Sequence, residues 1–445
     1  MASLNESLFN TPNAKRLMTK YGKTLAITES VRKNRGFETT MERKLLTAQT
    51  IDNTKNMIRV MESYNAGATQ PSSIGQYKRY AIDMVAAFTA STISPEIVST
   101  QAIDNRVGMI NILQFQYGSD KGAAKNGETF ASALGYQGMN AEYTSAEVTG
   151  ESLSAVSGTY TLAYTPVIPE TLVIRDLSGA VVSGVTVDAE SGILSDPGSA
   201  LADGFTADYR YDNETVPVKA PLLKMDIKSL PITAQSRKLA AVWSFDAAYE
   251  LSKEYGEDMQ SLLATQAAAE ITQEIDREIC QDLYRIASAG PEVTWSKTAP
   301  VGVSVPDHYD SFWTEVVKGS NEIFAATNRC RANFMVCGLG VDAVLKCMRG
   351  FDANEDMSAI GPHFIGTLGG VIKCYVNPFY EADTFVLGYK GPNMIDAGYV
   401  YAPYMPIMTT QMITLEDFAS RQGWATQYGK KAINPRLYVK GRIIG

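Results

Sequence analysis

The segment Gly388–Tyr404, with the sequence GYKGPNMIDAGYVYAPY, is the most distinctive stretch of this 445-residue chain. Four of the 23 tyrosines lie in it, and tyrosine is concentrated in the same C-terminal part of the chain. Tyrosine offers a large amphipathic contact at little conformational cost, so this enrichment is typical of protein interfaces. Packing in a core or at the edge of a sheet explains it equally.

The overall composition is that of a folded protein without a membrane segment. Apolar residues make up 45% and charged residues 20%, and the length predicts two or three domains. The chain has no long apolar run that would span a membrane and no N-terminal secretion signal, so we expect the protein to stay in the compartment where it is made. The five cysteines include no C-x-x-C pair, which favours buried, reduced thiols over a disulfide framework.

The net charge of −8 is unevenly distributed along the chain. Residues 1–60 contain 11 Lys and Arg against five acids, which leaves −14 for the remaining 385 residues. A basic arm on an acidic body is typical of a segment that contacts nucleic acid or an acidic partner protein. A solvated helical arm without a dedicated ligand is the alternative, and the interspersed acids argue against a continuous nucleic-acid-binding tract.

The N-terminal part of the chain changes character several times. Residues 1–70 are polar and predict a helical arm, which a turn at Pro71 closes. A short amphipathic helix is expected within 75–98 and a strand at 108–117. Residues 118–158 are rich in Gly, Ala and Ser, which predicts a long, exposed and mobile loop.

Residues 159–216 predict a small all-β domain inserted in the larger fold. Apolar and polar residues alternate around Tyr160 and again from Phe205 to Tyr211, with turn signals between them. This spacing is typical of a β-sandwich or barrel. The domain contains no Trp, His or Cys, so we expect no catalytic site in it. Its tyrosines indicate either strand packing or sugar binding.

The longest periodic segment is 245–288, where apolar residues recur at steps of three and four with a break near Gly256. From Asp258 to Ser288 the pattern predicts a helix roughly 46 Å long. We expect its apolar stripe to lie on a sheet and its acidic face to meet solvent or a neighbouring subunit. That acidic face carries Glu270, Glu274, Glu278 and Asp282.

Beyond residue 290 the patterns alternate between helix and strand. We expect helices at 308–326 and 341–349, and strands at 333–337, 371–376 and 384–387. Alternation of this kind indicates an α+β fold.

The sequence shows no constellation of catalytic or metal-binding residues. The histidines His308 and His363 are 55 residues apart and lack further ligands at metal-site spacing. Nucleophile-elbow, phosphate-loop and zinc-protease motifs are absent. Gly338-Leu339-Gly340 weakly resembles a dinucleotide-binding turn, but Ala343 stands where the third glycine is needed, and a tight turn explains the pair equally. We therefore expect no cofactor and no enzymatic activity.

Residues near the C-terminus resemble a known family. The stretch that carries the resemblance comprises Gly388-Tyr389-Lys390-Gly391-Pro392-Asn393, Asp396-Ala397-Gly398 and Tyr401-Ala402-Pro403-Tyr404. It closely resembles part of the major capsid proteins of T-even-type tailed bacteriophages. That family's C-terminal end is matched, in the same order, by Tyr428-Gly429, Asn434-Pro435 and Tyr438-Val439-Lys440-Gly441. The similarity at the level of motifs spans about 385–441, and the order of the predicted parts agrees over most of the chain.

The resemblance implies the Hong Kong 97-type capsid fold with an inserted all-β domain. The implied domains are an N-terminal arm (1–70), the first part of a peripheral domain (71–104), an extended loop (105–244) with the inserted β-domain (159–216), the spine helix of the peripheral domain (245–290), an axial domain (291–405) and a return to the peripheral domain (406–445).

The resemblance also implies the function of a major capsid protein. Hexamers and pentamers of the chain would form an icosahedral head shell around phage DNA, assembled in the cytoplasm of a host bacterium. Implied partners are further copies of the chain and the vertex protein, portal, scaffold, maturation protease and decoration proteins of the phage, with non-specific proximity to DNA and no membrane. Alternatives are a vertex paralogue that forms only pentamers, a phage-like nanocompartment shell and a nucleotide-binding enzyme.

Members of this family lose the N-terminal arm to a phage protease that cuts after an apolar-x-Glu pattern. Ile27-Thr28-Glu29 and Val60-Met61-Glu62 fit that pattern. The preferred site is the second, between Glu62 and Ser63, because it lies where the arm ends.

Some relatives of the fold also join subunits through Lys–Asn isopeptide bonds. The residues of the predicted loop that could take part are Lys121, Lys125 and Asn126.

Overall fold

The structure is a computed structural model of the chain. It describes residues 12–34, 40–64, 92–132, 135–136, 138–156, 159–195, 201–214, 220–256, 258–355, 361–391, 397–410, 412–414 and 419–445. The helix expected within 75–98 lies mostly outside these ranges.

The helices of the described ranges are α1 (Pro12–Lys20), α2 (Gly22–Asn34), α3 (Met41–Tyr64), α4 (Ser94–Ile97), α5 (Phe245–Tyr255), α6 (Met259–Ala287), α7 (Val305–Asp310), α8 (Phe312–Thr327) and α9 (Leu339–Cys347), with a 3₁₀ turn at Pro435–Leu437. The first strands are β1 (Ser99–Thr100), β2 (Val107–Tyr117), β3 (Thr129–Ser132), β4 (Gly135–Tyr136), β5 (Glu147–Ser152), β6 (Ala155–Val156), β7 (Thr159–Thr161), β8 (Val167–Arg175), β9 (Val181–Val182), β10 (Thr186–Val187), β11 (Ile193–Ser195), β12 (Thr206–Tyr211), β13 (Leu223–Thr233) and β14 (Gln235–Ser244). The remaining strands are β15 (Glu292–Ser296), β16 (Phe334–Cys337), β17 (Phe351–Ala353), β18 (His363–Leu368), β19 (Ile372–Val376), β20 (Thr384–Gly388), β21 (Tyr399–Thr409), β22 (Ile413–Thr414), β23 (Ala419–Ala432) and β24 (Tyr438–Ile444).

The chain divides into two compact units, and the first combines Met1–Asn111 with Ser229–Gly445. Its larger sheet has the order β15-β24-β20-β16-β19-β18-β17. In this sheet β15 and β24 run parallel, as do β16 and β19, and the other neighbouring pairs are antiparallel. A second sheet has the order β1-β21-β23-β14, with β22 also paired to β23. Helices and mixed sheets in one unit confirm the predicted α+β class.

The second unit, Ile112–Lys228, contains two small antiparallel sheets. Their orders are β10-β11-β7-β6 and β5-β12-β8-β9, and they include strands from Glu147 onward, before the predicted bound at 159. Tyr164, Tyr209 and Tyr211 lie in the buried cluster of this unit. Because these three rings are covered, they pack between the strands and are not available to bind a sugar, so the sugar-binding interpretation was wrong for them.

The described parts of residues 118–158 are structured, so the prediction of a mobile loop there was wrong. Strand β3 pairs with β2, and the ring of Tyr117 lies 5.1 Å from that of Phe130 and 4.6 Å from that of Tyr143, measured between centroids. Three aromatic side chains at irregular spacing thus form a small core. Such a core leaves no periodic signal in the sequence, and the many small residues around it suggested a loop.

The segment 245–288 forms two helices, and the predicted break near Gly256 is confirmed. Gly256 has a φ of 69° and ends α5 in the left-handed conformation that glycine adopts without strain. The Asp258 side chain then accepts a hydrogen bond from the backbone N–H of Ser261 at 3.1 Å and begins α6. Helix α6 has 29 residues, which corresponds to about 43 Å. Its apolar stripe lies in the main core with Ile271, Ile275, Ile279 and Leu283.

In the C-terminal half of α6, the acidic face binds the smaller sheet of the first unit. This corrects the expectation that the face meets solvent or a neighbouring subunit. Glu278 accepts a hydrogen bond from Lys430 Nζ at 2.8 Å and another from Tyr428. Asp282 accepts one from Tyr399 Oη at 2.8 Å. Tyrosines and lysine on β21 and β23 thus satisfy these carboxylates, while Glu270 and Glu274 nearer the start of the helix stay exposed.

The five cysteines are free thiols, and four of them are buried. Within the described residues, no helix combines the length and apolar character that crossing a membrane requires.

Candidate assembly and cleavage sites

The two histidines do not belong to a catalytic or metal-binding group. The ring of His308 stacks on Trp295 with centroids 5.0 Å apart, and His363 Nε2 lies 3.0 Å from a carboxylate oxygen of Glu355. Across the residues that the structure describes, no cluster of three or more His, Cys, Asp and Glu side chains is placed to hold a metal ion.

The Gly338-Leu339-Gly340 turn serves chain packing. The backbone N–H groups of Gly338 and Gly340 donate to the carbonyls of Thr384 and Ala382 at 2.9 and 2.8 Å. A Cβ atom at either glycine would overlap the backbone at Ala382, so the close approach explains both glycines. Free N–H groups at the start of a helix are what bind phosphate, and these are already engaged. The nucleotide-binding interpretation therefore loses its basis.

The segment Gly388–Tyr404 is part of the core in its described residues, which exclude 392–396. Tyr399 and Tyr401 are buried, and a Cβ atom at Gly398 would meet the ring of Tyr438. The tyrosines at these positions therefore serve core packing, one of the two interpretations that the sequence left open.

Lys390 connects this segment to the N-terminal part of the chain. The Asn333 side chain donates to the Lys390 carbonyl at 2.7 Å and accepts from the Lys390 N–H at 2.9 Å, which fixes the backbone there. The Lys390 ammonium group then donates to the carbonyl of Pro95 and lies 3.6 Å from a carboxylate oxygen of Glu42 on α3. The most distinctive stretch of the sequence thus contacts the arm.

The arm, defined as residues 12–64 with α1, α2 and α3, packs on the rest of the first unit, which we name the body. Its apolar residues belong to the same buried cluster as the apolar stripe of α6. The arm residues in that cluster are Leu17, Tyr21, Leu25, Ala48 and Ile51. The inner face of the arm is therefore covered by the body, and the interpretation of a solvated helical arm was wrong for that face.

Two arginines of the arm bind one carboxylate of the body. Arg32 and Arg43, each 4% exposed, both form ion pairs with Glu96, the second at 2.9 Å. Arg43 also donates to the carbonyl of Thr92 at 2.7 Å. Burial opposes ionisation of Glu96, but Arg43 and Arg32 outweigh it and hold the pKa of Glu96 below its ordinary value. Burial and the neighbouring Arg32 lower the pKa of Arg43 to about 10, so it remains a cation at neutral pH.

Asp276 on α6 extends this polar group to the spine helix. Its carboxylate accepts hydrogen bonds from the backbone N–H groups of Ile93 and Ser94, both at 3.1 Å, and from the Ser94 hydroxyl. Burial raises the pKa of Asp276 to about 6, although the bonds from Ser94 and Ile93 oppose that change. The start of α4 is therefore fixed by a buried acid from a distant part of the sequence.

The two candidate cleavage sites lie in different surroundings. Glu29 is inside α2, follows the buried Thr28 and forms an ion pair with Lys44. Glu62 and Ser63 lie in the last turn of α3, where only the backbone is described. A protease needs an extended substrate, and the end of a helix opens at lower cost than its interior.

Exposed apolar side chains occur in each unit. In the second unit, the outward residues Leu223, Met225 and Ile227 of β13 form what we name the apolar strip. In the first unit, α5 has no buried residue and exposes Phe245, Tyr249 and Tyr255, which we name the α5 face. Contiguous exposed apolar residues of this kind mark sites of protein contact.

The Lys121 side chain of the second unit is 4% exposed. Its ammonium group donates to the carbonyls of Glu142 and Tyr143 at 3.2 and 3.0 Å. Lys121 is therefore engaged within its own chain, whereas Lys125 is exposed.

Comparison with known proteins supplies the context for these surfaces. The family model of "Major capsid protein Gp23" matches residues 74–442. The major capsid protein of Enterobacteria phage T4 is 26% identical over 414 residues, which cover 83% of this chain and 78% of that protein. That of Escherichia phage AR1 is 25% identical over 411 residues, with the same two shares. Among solved structures, one from Mycobacterium phage Bobi covers 80% of this chain and 91% of its own at 9% identity, with a TM-score of 0.39.

Proposed function

This chain belongs to the family of the major capsid protein Gp23, and from that premise we propose how its parts build a shell. The protein is a structural component of a phage head and not an enzyme, and it is located in the virion shell. It assembles with further copies of itself. The observation that carries this conclusion is the family match over residues 74–442.

The chain has an α+β fold, which the proposal takes to be of the Hong Kong 97 capsid type, with its domains assigned accordingly. Residues 1–70 act as the arm, 105–244 as the extended loop with its inserted β-domain, and 291–405 as the axial domain. The peripheral domain consists of 71–104, 245–290 and 406–445, except that β24 belongs to the larger sheet, where it pairs with β15 and β20 of the axial domain. The axial domains of neighbouring copies surround the centres of hexamers and pentamers in this assignment.

The apolar strip and the α5 face are the surfaces that contact neighbouring copies in our proposal. Burial of an apolar side chain stabilises a contact by about 1.5–3 kcal/mol, and the α5 face alone offers three large ones. A shell repeats each contact many times, so modest contacts suffice for a stable assembly.

The test of these surfaces is assembly of charged variants. Met225→Glu combined with Ile227→Glu should prevent particle formation, because a carboxylate in a closed contact is left without a partner. Lys224→Glu, on the opposite face of the same strand, is the matched control and should assemble. Sedimentation and electron microscopy of the expressed proteins separate the outcomes, and normal particles from the double variant would exclude the apolar strip as a contact.

The proposal places maturation cleavage between Glu62 and Ser63. The position of Glu62 in the last turn of α3 and the ion pair of Glu29 inside α2 support this choice over Glu29. Mass spectrometry of purified virions should find an N-terminus at Ser63, and Glu62→Gln should abolish it while Glu29→Gln does not. An N-terminus at Met1 or Ala2 would exclude the cleavage.

Further partners belong to the proposal through the family resemblance. They are the vertex protein, portal, scaffold, maturation protease and decoration proteins of the same phage. The −14 charge outside the basic arm supports only non-specific proximity to DNA, because like charges repel. Crosslinking of purified particles followed by mass spectrometry tests each partner, and the absence of crosslinks to any other head protein would contradict this part.

A further inference from the structure

The arm is held by a socket in the body, and we propose that this socket retains the arm when the chain that connects them is cut. The socket comprises the groups of the body that bind the arm, namely those of Thr92, Glu96, Thr100, Ile103, Asp104, Lys390 and Tyr404. Release of the arm is then a step separate from cutting, and the contacts of the socket govern it.

Ion pairs form the centre of the socket. Glu96 receives Arg32 and Arg43 from two different helices of the arm, and the Thr92 carbonyl receives a second bond from Arg43 at 2.7 Å. All of these side chains are largely buried. Release of the arm would break both ion pairs at once, and two guanidinium groups that the body now covers would have to separate from their carboxylate.

Further hydrogen bonds, some of them to a carboxylate, match the arm to the socket. Glu42 accepts from the backbone N–H and the hydroxyl of Thr100 at 2.9 and 2.7 Å. The Asn53 side chain donates to the carbonyls of Ile103 and Tyr404 at 3.1 and 2.8 Å. Because Glu42 and Asn53 are three turns apart on α3, the contacts fix both the position and the register of this helix.

The three arm helices are also joined to one another, so the arm binds as a single piece. Asp52 on α3 accepts hydrogen bonds from Lys20 and, at 2.6 Å, from Tyr21. Lys44 on α3 forms an ion pair with Glu29 on α2. Loss of the covalent connection beyond Tyr64 therefore breaks none of these contacts.

The proposal does not rest on natural cleavage at Glu62. Its test is a full-length chain with the recognition sequence of a site-specific protease inserted within 65–73, before the family match begins at residue 74. After cutting, gel filtration of the unassembled protein in physiological salt separates free arm from body, and denaturing gels of the fractions identify each fragment. We expect the arm to elute with the body.

Variants on both sides of the contact between arm and socket decide whether the named contacts retain the arm. Arg32→Gln combined with Arg43→Gln should raise the fraction of released arm at least tenfold, and Glu96→Gln should do so from the side of the body. Lys23→Gln removes one positive charge from an exposed position of α2 and should retain the arm. Circular dichroism before cutting establishes that each variant is folded, and Glu96→Gln replaces the double variant if that one is not. Free arm from the unsubstituted protein, or equal retention in all variants, would overturn the proposal.

Discussion

Substitution of Lys121 by methionine would remove a buried ammonium group and keep most of the apolar stem. In the structure Nζ donates to the carbonyls of Glu142 and Tyr143 at 3.2 and 3.0 Å and to that of Ser145. It also lies 5.2 Å from the centroid of the Tyr211 ring. One side chain thus joins a turn of the chain to a strand of the inserted β-domain.

The expected loss of stability is the balance of three effects. Each buried carbonyl that is left without a hydrogen-bond donor destabilises the native state by about 1–3 kcal/mol. Loss of the cation–π contact adds about 0.5–2 kcal/mol. Against this, methionine avoids burial of a charge, an effect also seen in the lowered pKa of Lys121. We expect a net loss of about 2–3 kcal/mol from the free energy of unfolding of the second unit, which lowers its midpoint by roughly 10 °C.

Hydrogen exchange read by mass spectrometry assigns the loss to residues 112–228, and calorimetry measures the midpoint. Lys125→Met is the matched control, since it makes the same change at an exposed position of the same segment; we expect less than about 0.5 kcal/mol. Equal exchange and equal midpoints in the two variants would refute the role of Lys121. A covalent ladder on denaturing gels that Lys121→Met abolishes would instead identify Lys121 as a crosslinking residue.

Further predictions concern the first unit. Burial raises the pKa of Asp276 from 3.8 to about 6, so Asp276 stabilises the native state most below about pH 4 and loses this contribution as the pH rises through 6. In denaturant titrations, the free energy of unfolding of the unsubstituted protein relative to Asp276→Asn should fall by up to about 3 kcal/mol over this range. A difference that does not change with pH would contradict this. Gly441→Ala would place a methyl group against the buried ring of Phe385 and should lower the free energy of unfolding by about 2–3 kcal/mol. Gly350→Ala places its methyl group in open space and should leave the stability unchanged. Equal thermal midpoints of the two variants would contradict this prediction. Asn333→Ala removes both hydrogen bonds to the Lys390 backbone and should lower the free energy of unfolding by about 2 kcal/mol. Hydrogen exchange at 385–391 should become faster, and unchanged exchange there would show that Asn333 does not fix this backbone.

The elements of the body that have a strong periodic pattern were predicted from the sequence. The helix expected at 308–326 is observed as α7 and α8, and the strand expected at 333–337 as β16. The break near Gly256 was also predicted, because glycine with φ of 69° ends a helix. Local sequence determines such features, so they are visible without the rest of the chain.

Contacts between distant residues were not predicted. The acids of α6 were expected to meet solvent or a neighbouring subunit, because acids on a helix usually are solvated, yet Lys430 Nζ lies 2.8 Å from Glu278. Similarly, Arg32 and Arg43 looked like part of a basic surface, and only the fold brings Glu96 between them. The sequence signal that existed was the run of acids itself, which did not reveal its partners.

The segment Gly388–Tyr404 identified the family without revealing what its residues do. Tyr399 and Tyr401 pack in the core, and Lys390 contacts the arm through Glu42 and the Pro95 carbonyl. A buried segment with several close backbone approaches tolerates few substitutions, which accounts for its value as a signature. The candidate cleavage site at Glu62 and Ser63 stays a prediction.

The copy number of the chain in purified phage particles tests the central claim most directly. Quantitative mass spectrometry against labelled standard peptides from residues 74–442 measures this number relative to the portal protein. A chain that forms the hexamers of the shell should be the most abundant protein of the head, on the order of hundreds of copies per particle. A count in the tens would instead indicate a protein restricted to the vertices, and absence from the particles would contradict the assignment altogether.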